Sequence, residues 1–157
     1  MLNFSYWKTK GKKMKNFVYL AGPMEDCSPK RMTSWRMHCE TKLNQMEINT
    51  LDPTRRVSFH DELYLGEQHT PIQSTCRRIF KMDMQDIANS NVVLADIRRD
   101  SGRGTGTAME LMFAHMKNKI IILWADKNDL IHPFYESIYT EKYFELDECI
   151  EAVSYYY

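Results

Sequence analysis

Short apolar segments that alternate with helix-start signals are the feature that most constrains the fold of this chain. Residues 17–21, 92–95 and 120–124 are apolar runs with the length of buried strands. Between them, Ser28-Pro29 and Thr70-Pro71 each place an N-cap residue before a proline, which is typical of the first position of a helix. Strands that alternate with helices form parallel βαβ units. The sequence therefore predicts an α/β protein built on a parallel sheet.

The predicted elements place two loops at the edge of the sheet where ligands bind. We expect strands at 17–21, 47–51, 92–95, 120–124 and near Tyr143, helices at 29–45, 71–89, 107–116 and 147–154, and a long polar loop at 54–69. In a flavodoxin-like strand order, the first and third strands flank the switch point of the sheet. The loops that follow Ala21 and Asp96 would then face one crevice.

Length, charge and hydropathy limit the classes of partner. The chain has 157 residues and no net charge, and no apolar run is long enough to span a bilayer. We therefore expect a single domain at 16–157, with neither a membrane nor a nucleic acid polymer as partner. Residues 1–15 carry five lysines and no acid, which predicts a basic flexible leader. A basic arm for a polyanion is the alternative interpretation.

The cysteines indicate a reduced, cytoplasmic protein without a metal site. There are four: Cys27, Cys39, Cys76 and Cys149. They are widely spaced, with no CxxC or zinc-type pattern, and the chain starts without a signal-peptide apolar core. His38 beside Cys39 could suggest a pair of metal ligands, but sequence neighbours point to different sides of a helix. We expect free thiols.

A glycine-rich loop leads to the first candidate catalytic residue. The predicted strand that ends near Asp96 is followed by three alternating glycines at 102–106, and Glu110 is expected in the first turn of the next helix. Alternating glycines leave room for a ligand near the backbone, and a helix N-terminus favours an ionised carboxylate. The alternative is structural, because residues 107–110 fit a capping box with threonine at the N-cap and glutamate at N3. The spacing alone leaves both interpretations open.

Asp83 is the second candidate, because it interrupts an apolar stripe. On the predicted helix it lies four residues after Ile79 and four before Ile87, in the middle of the apolar face. Burial of a carboxyl group favours its neutral form, which suits a general acid. A buried hydrogen bond to a loop is the structural alternative. Asp86 lies at the edge of the stripe, where we expect an exposed or capping residue.

The glycine loop does not predict a dinucleotide site. It lacks the Walker A ending, and it departs from GxGxxG because position 107 is threonine. Arg98, Arg99 and Arg103 could contact a phosphate, although arginines near a loop are usually solvated. The sequence also has no serine nucleophile elbow. We therefore expect no organic cofactor bound through these motifs.

Three short motifs in this order resemble the nucleoside 2-deoxyribosyltransferase family. They are residues 18–24 (VYLAGPM), Asp83 followed by 90–96 (SNVVLAD), and 106–110 (GTAME). The resemblance implies a flavodoxin-like, doubly wound five-stranded parallel sheet with helices on both faces. It also implies a retaining glycosyl transfer without metal or organic cofactor. In that reaction Glu110 forms a covalent deoxyribosyl-enzyme, and Asp83 handles the proton on the nucleobase.

The same resemblance implies a set of substrate-binding residues. They are Gly22, Pro23, Met24, Asp96, Gly104, Gly106, His132 and Tyr157. Gly104 stands where transferases acting on free nucleosides commonly have an aspartate and related nucleotide N-glycosidases have a serine. His132 stands where the transferases have a base-contacting asparagine. Tyr157 matches the C-terminal end that family transferases often bring into a neighbouring subunit's site, which implies a homo-oligomer with shared active sites.

The residues and the resemblance together predict an enzyme, with alternatives. The first hypothesis is a nucleoside 2-deoxyribosyltransferase, whose partners are a small-molecule nucleoside and a nucleobase. The second is an N-glycosidase that hydrolyses a (deoxy)nucleoside 5′-monophosphate to free base and sugar phosphate. A hypothesis of another class is a non-catalytic nucleotide-binding module that retains the crevice without the chemistry.

Overall fold

A five-stranded parallel sheet forms the centre of the fold. The computed structural model describes residues 16–25, 27–56, 73–99 and 104–157. Its strands are β1 (Phe17–Ala21), β2 (Asn49–Leu51), β3 (Val92–Asp96), β4 (Ile120–Trp124) and β5 (Glu141–Tyr143). They pair in the order β2-β1-β3-β4-β5, and every pairing is parallel. This is the flavodoxin-like order, so the predicted fold and its switch point between β1 and β3 are confirmed.

Helices cover both faces of the sheet, as predicted. They are α1 (Pro29–Gln45), α2 (Gln73–Asn89), α3 (Thr105–Met116), α4 (Pro133–Glu136) and α5 (Leu146–Ser154), and a 3-10 turn follows β2 at Pro53–Arg56. Val18 and Leu20 of β1 pack with buried residues of α1 and α5. Tyr19 and Ala21 pack with α2 and α3 on the opposite face. Because β1 is buried on both faces, its sequence is an uninterrupted apolar run.

The start of α1 is confirmed and the start of α3 is not. Ser28 is the N-cap of α1, and its hydroxyl oxygen accepts a hydrogen bond from the backbone N–H of Arg31 at 3.3 Å. In contrast, α3 begins at Thr105 with Gly104 as its N-cap, two residues before the predicted start at Thr107. Gly104 has no side chain to bond the first turn, so the usual sequence signal for a helix start is missing there.

Other boundaries differ from the predictions by one or two residues. The strand β2 begins at Asn49 rather than at 47, because the chain turns through Glu47 with a φ of 60° before it enters the sheet. The strand β3 extends one residue further, to Asp96, and α5 begins one residue earlier, at Leu146. No periodic pattern marks α4, because its four residues make little more than one turn.

Several predictions fall outside the described residues. These are the leader at 1–15, the helix start at Thr70-Pro71 and the loop at 57–69. In the part of the chain that the structure describes, no helix is long and apolar enough to cross a membrane.

The cysteines are free thiols, as expected. Cys27, Cys39 and Cys149 are buried, and Cys76 is exposed. His38 points away from Cys39, since its ring is exposed and lies 2.6 Å from the carboxylate of Asp147. Among the described residues, no group of three or more His, Cys, Asp or Glu side chains could hold a metal ion.

Candidate active site

A cavity of about 290 Å³ opens at the carboxyl end of β1, between α2 and α3. The turn after β1, the middle of α2 and the first turns of α3 form its walls. We call it the carboxylate cavity, and it is lined in part by Gly22, Pro23, Met24, Asp83, Gly106, Thr107 and Glu110. It lies at the switch point, where ligands bind in sheets of this order. The structure therefore brings both candidate carboxylates and four of the predicted substrate-binding residues to one place.

Glu110 is held by a tyrosine of β1 and not by its own helix end. The hydroxyl of Tyr19, which is completely buried, donates a hydrogen bond to the Glu110 carboxylate at 2.6 Å. Since α3 begins at Thr105, Glu110 lies in the second turn of the helix. The first-turn placement and the capping-box interpretation are therefore both wrong. The carboxylate points into the cavity, where a structural cap would have pointed along the backbone.

The surroundings of Glu110 raise its pKa to about 7. Burial is the largest cause, because it penalises the charged form, and the negative charge of Asp83 acts in the same direction. The hydrogen bond from Tyr19 and the positive charge of Arg36 oppose the rise. Glu110 is consequently close to half ionised at neutral pH, and small changes around it alter its charge.

Asp83 faces the same cavity from α2. Its side chain is only 6% exposed, which confirms the inward orientation expected from the sequence. The apolar residues on this face of α2 have two different surroundings. Ile87 is buried in the core, whereas Ile79 and Phe80 line the cavity. Asp83 stands at the boundary between the core part of the stripe and the cavity part. Its charge acts on both Tyr19 and Glu110.

The prediction for Asp86 is wrong. Asp86 is buried, and its carboxylate forms an ion pair with the Arg55 guanidinium at 2.8 Å. Arg55 belongs to the 3-10 turn after β2, which the sequence does not reveal. Asp86 does not line the carboxylate cavity. It therefore joins α2 to the end of β2, away from the two candidate catalytic groups.

Arg36 supports the floor of the cavity, and sequence reasoning missed it. Its guanidinium is fully buried and donates hydrogen bonds to the carbonyl oxygens of Leu20 at 3.3 Å and Gly22 at 2.9 Å. It also forms an ion pair with Asp52 at 3.5 Å. The sequence did contain a signal for a buried charge here. Arg36 follows Met32 by four residues on the apolar face of α1, so it interrupts that face as Asp83 interrupts the apolar face of α2.

Gly22 is required by close packing beneath that cavity. A Cβ atom at this position would lie 2.9 Å from Cζ2 of Trp35 and 3.1 Å from Nη2 of Arg36. Both distances are shorter than an ordinary carbon contact. The glycine thus lets the turn after β1 approach α1 and present its backbone to the cavity.

A second cavity of about 210 Å³ adjoins the first. Its lining residues are Pro23, Asp96, Ile97, Arg98, Arg99, Gly104, Thr107 and Tyr135. Pro23 and Thr107 line both cavities. The predicted substrate-binding residues Asp96 and Gly104 are therefore next to the carboxylates but in a separate compartment. Asp96 accepts hydrogen bonds from the Arg98 guanidinium on both of its oxygens, each at 2.9 Å.

Tyr135 occupies the space beside Gly104. Its hydroxyl oxygen lies 3.6 Å from the position that a Cβ of Gly104 would take. Tyr135 is partly buried, and burial raises the pKa of its phenol. Sequence reasoning missed this residue because it lies on the short helix α4. The only signal was Pro133 after His132, a pattern typical of a helix start.

The structure does not bring His132 or Tyr157 to either cavity of its own chain. His132 is the N-cap of α4, where its Nδ1 accepts a hydrogen bond from the backbone N–H of Phe134 at 3.2 Å. The hydroxyl of Tyr157 donates to the carbonyl of Phe17, at the amino end of β1 and thus at the opposite edge of the sheet. The proposed contribution of Tyr157 to a neighbouring subunit stays a prediction.

A model of one known protein family matches most of the chain. The family model described as nucleoside 2-deoxyribosyltransferase matches residues 18–151, which include most of β1, both candidate carboxylates and most of α5. A search of curated protein sequences finds no significant match.

Solved structures with the same fold include enzymes and a binding protein. The 2-deoxyribosyltransferase from Bacillus psychrosaccharolyticus has a TM-score of 0.65 at 17% identity, over 84% of this chain and 88% of that one. The CMP N-glycosidase BcmB of Clostridium botulinum has a TM-score of 0.57 at 12% identity, over 87% and 97%. A molybdenum cofactor binding protein from Rippkaea orientalis has a TM-score of 0.58 at 17% identity, over 92% and 98%. These similarities concern the fold.

Proposed function

The chain belongs to the nucleoside 2-deoxyribosyltransferase family, and from this we propose that it cleaves the N-glycosidic bond of a 2′-deoxynucleoside and transfers the sugar to another nucleobase. The observation that carries the proposal is the arrangement in the carboxylate cavity. One carboxylate, Glu110, is held by the buried Tyr19 hydroxyl, and a second, Asp83, faces it from another helix. Two carboxyl groups flanking a glycosidic bond are what a retaining transfer requires.

The reaction divides into two steps at these groups. In the first, an oxygen of the ionised Glu110 attacks C1′ of the deoxyribose, while the bond from C1′ to the base nitrogen breaks and its electron pair leaves with the base. In the reactive form the proton of this pair of carboxyl groups lies on Asp83 rather than on Glu110, and the carboxylic acid of Asp83 donates it to the leaving base. In the second step a new base attacks C1′ and returns a proton to Asp83, and the Glu110 carboxylate is released. Two inversions at C1′ retain the configuration of the sugar.

Hydrolysis of a nucleoside 5′-monophosphate is the second candidate function. The observation in its favour is the second cavity, where the amino end of α3 and two arginines, Arg98 and Arg99, lie beside Gly104. Amino ends of helices favour anions. In that reaction water would release the sugar phosphate from the enzyme, and no second base would be needed.

One assay separates the two candidates. The protein is incubated with a 2′-deoxynucleoside and a different free base, and in parallel with the nucleoside 5′-monophosphate in water, and products are followed by chromatography. We expect the new deoxynucleoside to form in the first mixture. Release of base and sugar phosphate in the second mixture, with no exchange in the first, contradicts the transferase proposal.

Removal of the Tyr19 hydroxyl is expected to shift the pH dependence of turnover. The rise of kcat/KM with pH reports the ionisation of Glu110 in the free enzyme, with a midpoint near its pKa of about 7. Because the Tyr19 hydrogen bond lowers that pKa, Tyr19→Phe should move the midpoint upward by roughly one pH unit, the scale of one hydrogen bond to a charged group. The measurement is a profile of kcat/KM from pH 5 to 9.

Tyr156→Phe is the matched control for that profile. The Tyr156 hydroxyl also donates to a carboxylate, that of Glu141, but on the face of the sheet covered by α1 and α5. We expect its profile to match the wild type. An unshifted midpoint in Tyr19→Phe contradicts the assignment of the acidic limb to Glu110.

Alkylation of Cys76 is expected to block the site. Cys76 lines the carboxylate cavity and is exposed, whereas Cys27, Cys39 and Cys149 are buried. A bulky maleimide should therefore modify Cys76 first and abolish most turnover, and a saturating 2′-deoxynucleoside should slow the modification. Labelling is followed by mass spectrometry of the intact protein, with Cys76→Ser as the resistant control. Full activity after complete Cys76 labelling contradicts the placement of the substrate in this cavity.

A further inference from the structure

We infer that Arg36 and Asp52 are positioning residues for the proposed reaction: Arg36 fixes one wall of the carboxylate cavity and favours an ionised Glu110, and Asp52 limits that effect. The inference deepens the proposed function and rests on it. Neither Arg36 nor Asp52 is among the described residues that line the cavity, so both act through other groups. Three observations carry the inference: the hydrogen bonds of Arg36, the pairing of its charge, and the place of that charge relative to Glu110.

The hydrogen bonds of Arg36 fix the turn after β1. Its Nη2 donates to the carbonyl oxygen of Gly22 at 2.9 Å, and its Nε donates to that of Leu20 at 3.3 Å. Its Nη1 donates to the carbonyl oxygen of Met32, one turn earlier on α1, at 2.6 Å. Because a guanidinium is planar, it makes such bonds in fixed directions. The turn that forms one wall of the cavity is therefore tied to α1 in a defined position.

The charge of Arg36 is offset only in part by Asp52. The three acceptors of its hydrogen bonds are neutral carbonyl oxygens, and the Asp52 carboxylate lies 3.5 Å from Nε, which is longer than a charge-assisted hydrogen bond. That carboxylate accepts from the backbone N–H of Thr54 at 2.8 Å and from its hydroxyl at 2.7 Å, so it is held in place. Arginine stays protonated when buried, and a buried charge requires compensation. Other acids must therefore contribute to stabilising it.

Glu110 is one of these acids. Burial lowers the pKa of Arg36, and the negative charges of Asp52 and Glu110 oppose this change. Electrostatic attraction is mutual, so the guanidinium favours the ionised form of Glu110 in return. Because α1 and α2 cover opposite faces of the sheet, Arg36 and Asp83 act on Glu110 from different sides. The nucleophile is thus placed between a positive charge and the general acid.

The other groups around this pair do not replace the charge of Arg36. Tyr19 is neutral at pH 7, because burial raises the pKa of its phenol. Asp96 of β3 also acts on Arg36, but both of its oxygens accept hydrogen bonds from the Arg98 guanidinium. Asp83 opposes the ionisation of Glu110. Within the described part of the chain, one positive charge therefore favours the ionised nucleophile, and it belongs to Arg36.

Substitution of the two residues is expected to shift the titration of Glu110 in opposite directions. Arg36→Gln removes a favourable charge and should move the midpoint upward by roughly one pH unit. Asp52→Asn leaves the guanidinium less offset and should move the midpoint downward by roughly half a unit. Both variants should be less stable than the wild type. A purely structural pair would give the two losses of stability without the opposite shifts.

The midpoint is measured by carbon-13 NMR of protein labelled at the glutamate carboxyl carbon. The Glu110 signal is the one that is missing from the spectrum of Glu110→Gln. Arg55→Gln is the matched control, because it makes the same change at a partly exposed arginine that pairs with Asp86 outside the carboxylate cavity. We expect its midpoint to equal that of the wild type. A shift as large as that of Arg36→Gln contradicts the inference.

Arg36→Lys separates the charge from the hydrogen bonds. Lysine keeps the positive charge, but it lacks the planar fork that bonds the turn. We expect the midpoint of the wild type, together with a loss of about tenfold in kcat/KM for base exchange, the scale of one hydrogen bond. A midpoint that moves upward as in Arg36→Gln overturns the role of the charge.

The titration can fail independently of the proposed reaction, because it requires no turnover. Unshifted midpoints, or shifts of the same sign in Arg36→Gln and Asp52→Asn, overturn this inference, and base exchange by the wild type then leaves the transferase proposal intact. Opposite shifts without any base exchange support the charge pair and remove only the transferase proposal. If Arg36→Gln does not fold, Asp52→Asn decides alone, since asparagine can still accept from Thr54. A downward shift then supports the inference, and an unchanged midpoint overturns it.

Discussion

Glu110→Gln is expected to lose base exchange by roughly 10⁴-fold or more, the scale seen when a nucleophile is removed. Glutamine keeps the size of the side chain and can still accept the hydrogen bond from Tyr19. It carries no negative charge and does not form the glycosyl ester at C1′. The loss should therefore appear in kcat, while binding of the nucleoside changes little. The measurement is steady-state base exchange, followed by chromatography of both product bases.

The same substitution is expected to stabilise the folded protein at high pH. The pKa of Glu110 is raised from 4.5 to about 7, so the folded state holds a proton that the unfolded state has released between these values. Stability from this group is present below pH 4.5 and is lost as pH rises through 7. Each pKa unit of this shift corresponds to about 1.4 kcal/mol, and the full value is reduced because Glu110 is partly exposed. We therefore expect Glu110→Gln to raise the free energy of unfolding by about 2 kcal/mol at pH 8 and to leave it unchanged at pH 4.

Urea unfolding at pH 4 and pH 8 checks this second effect. Glu136→Gln is the control, because Glu136 is an exposed glutamate whose pKa is lowered by its hydrogen bond with Lys142. Glu136→Gln should not raise the free energy of unfolding at pH 8. A glutamate that served only to stabilise α3 would lower stability when replaced, so destabilisation of Glu110→Gln at pH 8 argues for a structural role.

Asp83→Asn is expected to reduce kcat by 10² to 10⁴-fold, the range for loss of a general acid. Asparagine keeps the shape of the side chain, but it has no carboxyl proton to donate to the leaving base. The loss should be smaller for a nucleoside whose base leaves readily without protonation. The measurement compares kcat for two deoxynucleosides whose bases differ in basicity.

Asp86→Asn is the matched control on the same helix. Asp86 is equally buried on α2, but it pairs with Arg55 and does not line the carboxylate cavity. We expect this variant to be less stable while it keeps its kcat. Equal losses of kcat for good and poor leaving groups in Asp83→Asn would falsify the general-acid role.

The parts of the site that lie in one element were predictable from the sequence. Local patterns single out Glu110 and Asp83 as candidates, a glycine loop before a helix and a polar residue in an apolar stripe, although each pattern also allowed a structural role. The strand order then brings the two elements to one edge of the sheet. Arg36 could have been found by the same stripe argument applied to α1.

Contacts between distant parts of the chain could not be predicted. The Tyr19–Glu110 hydrogen bond joins residues 91 positions apart, and it depends on the register in which Tyr19 pairs with Val93. Tyr135 could not be placed beside Gly104, because its helix is too short to leave a periodic pattern. For the same reason the sequence did not reveal the pairing of Asp86 with Arg55, whose 3-10 turn has no clear signature.

The central claim is that Glu110 becomes covalently attached to the sugar. The protein is mixed with a 2′-deoxynucleoside without an acceptor base, quenched in acid, and analysed by mass spectrometry of the intact chain and of its peptides. We predict a mass increase of one deoxyribosyl group on the peptide that contains Glu110, which disappears when a free base is added before quenching. Base exchange that proceeds without this adduct, or an adduct on another residue, contradicts the account.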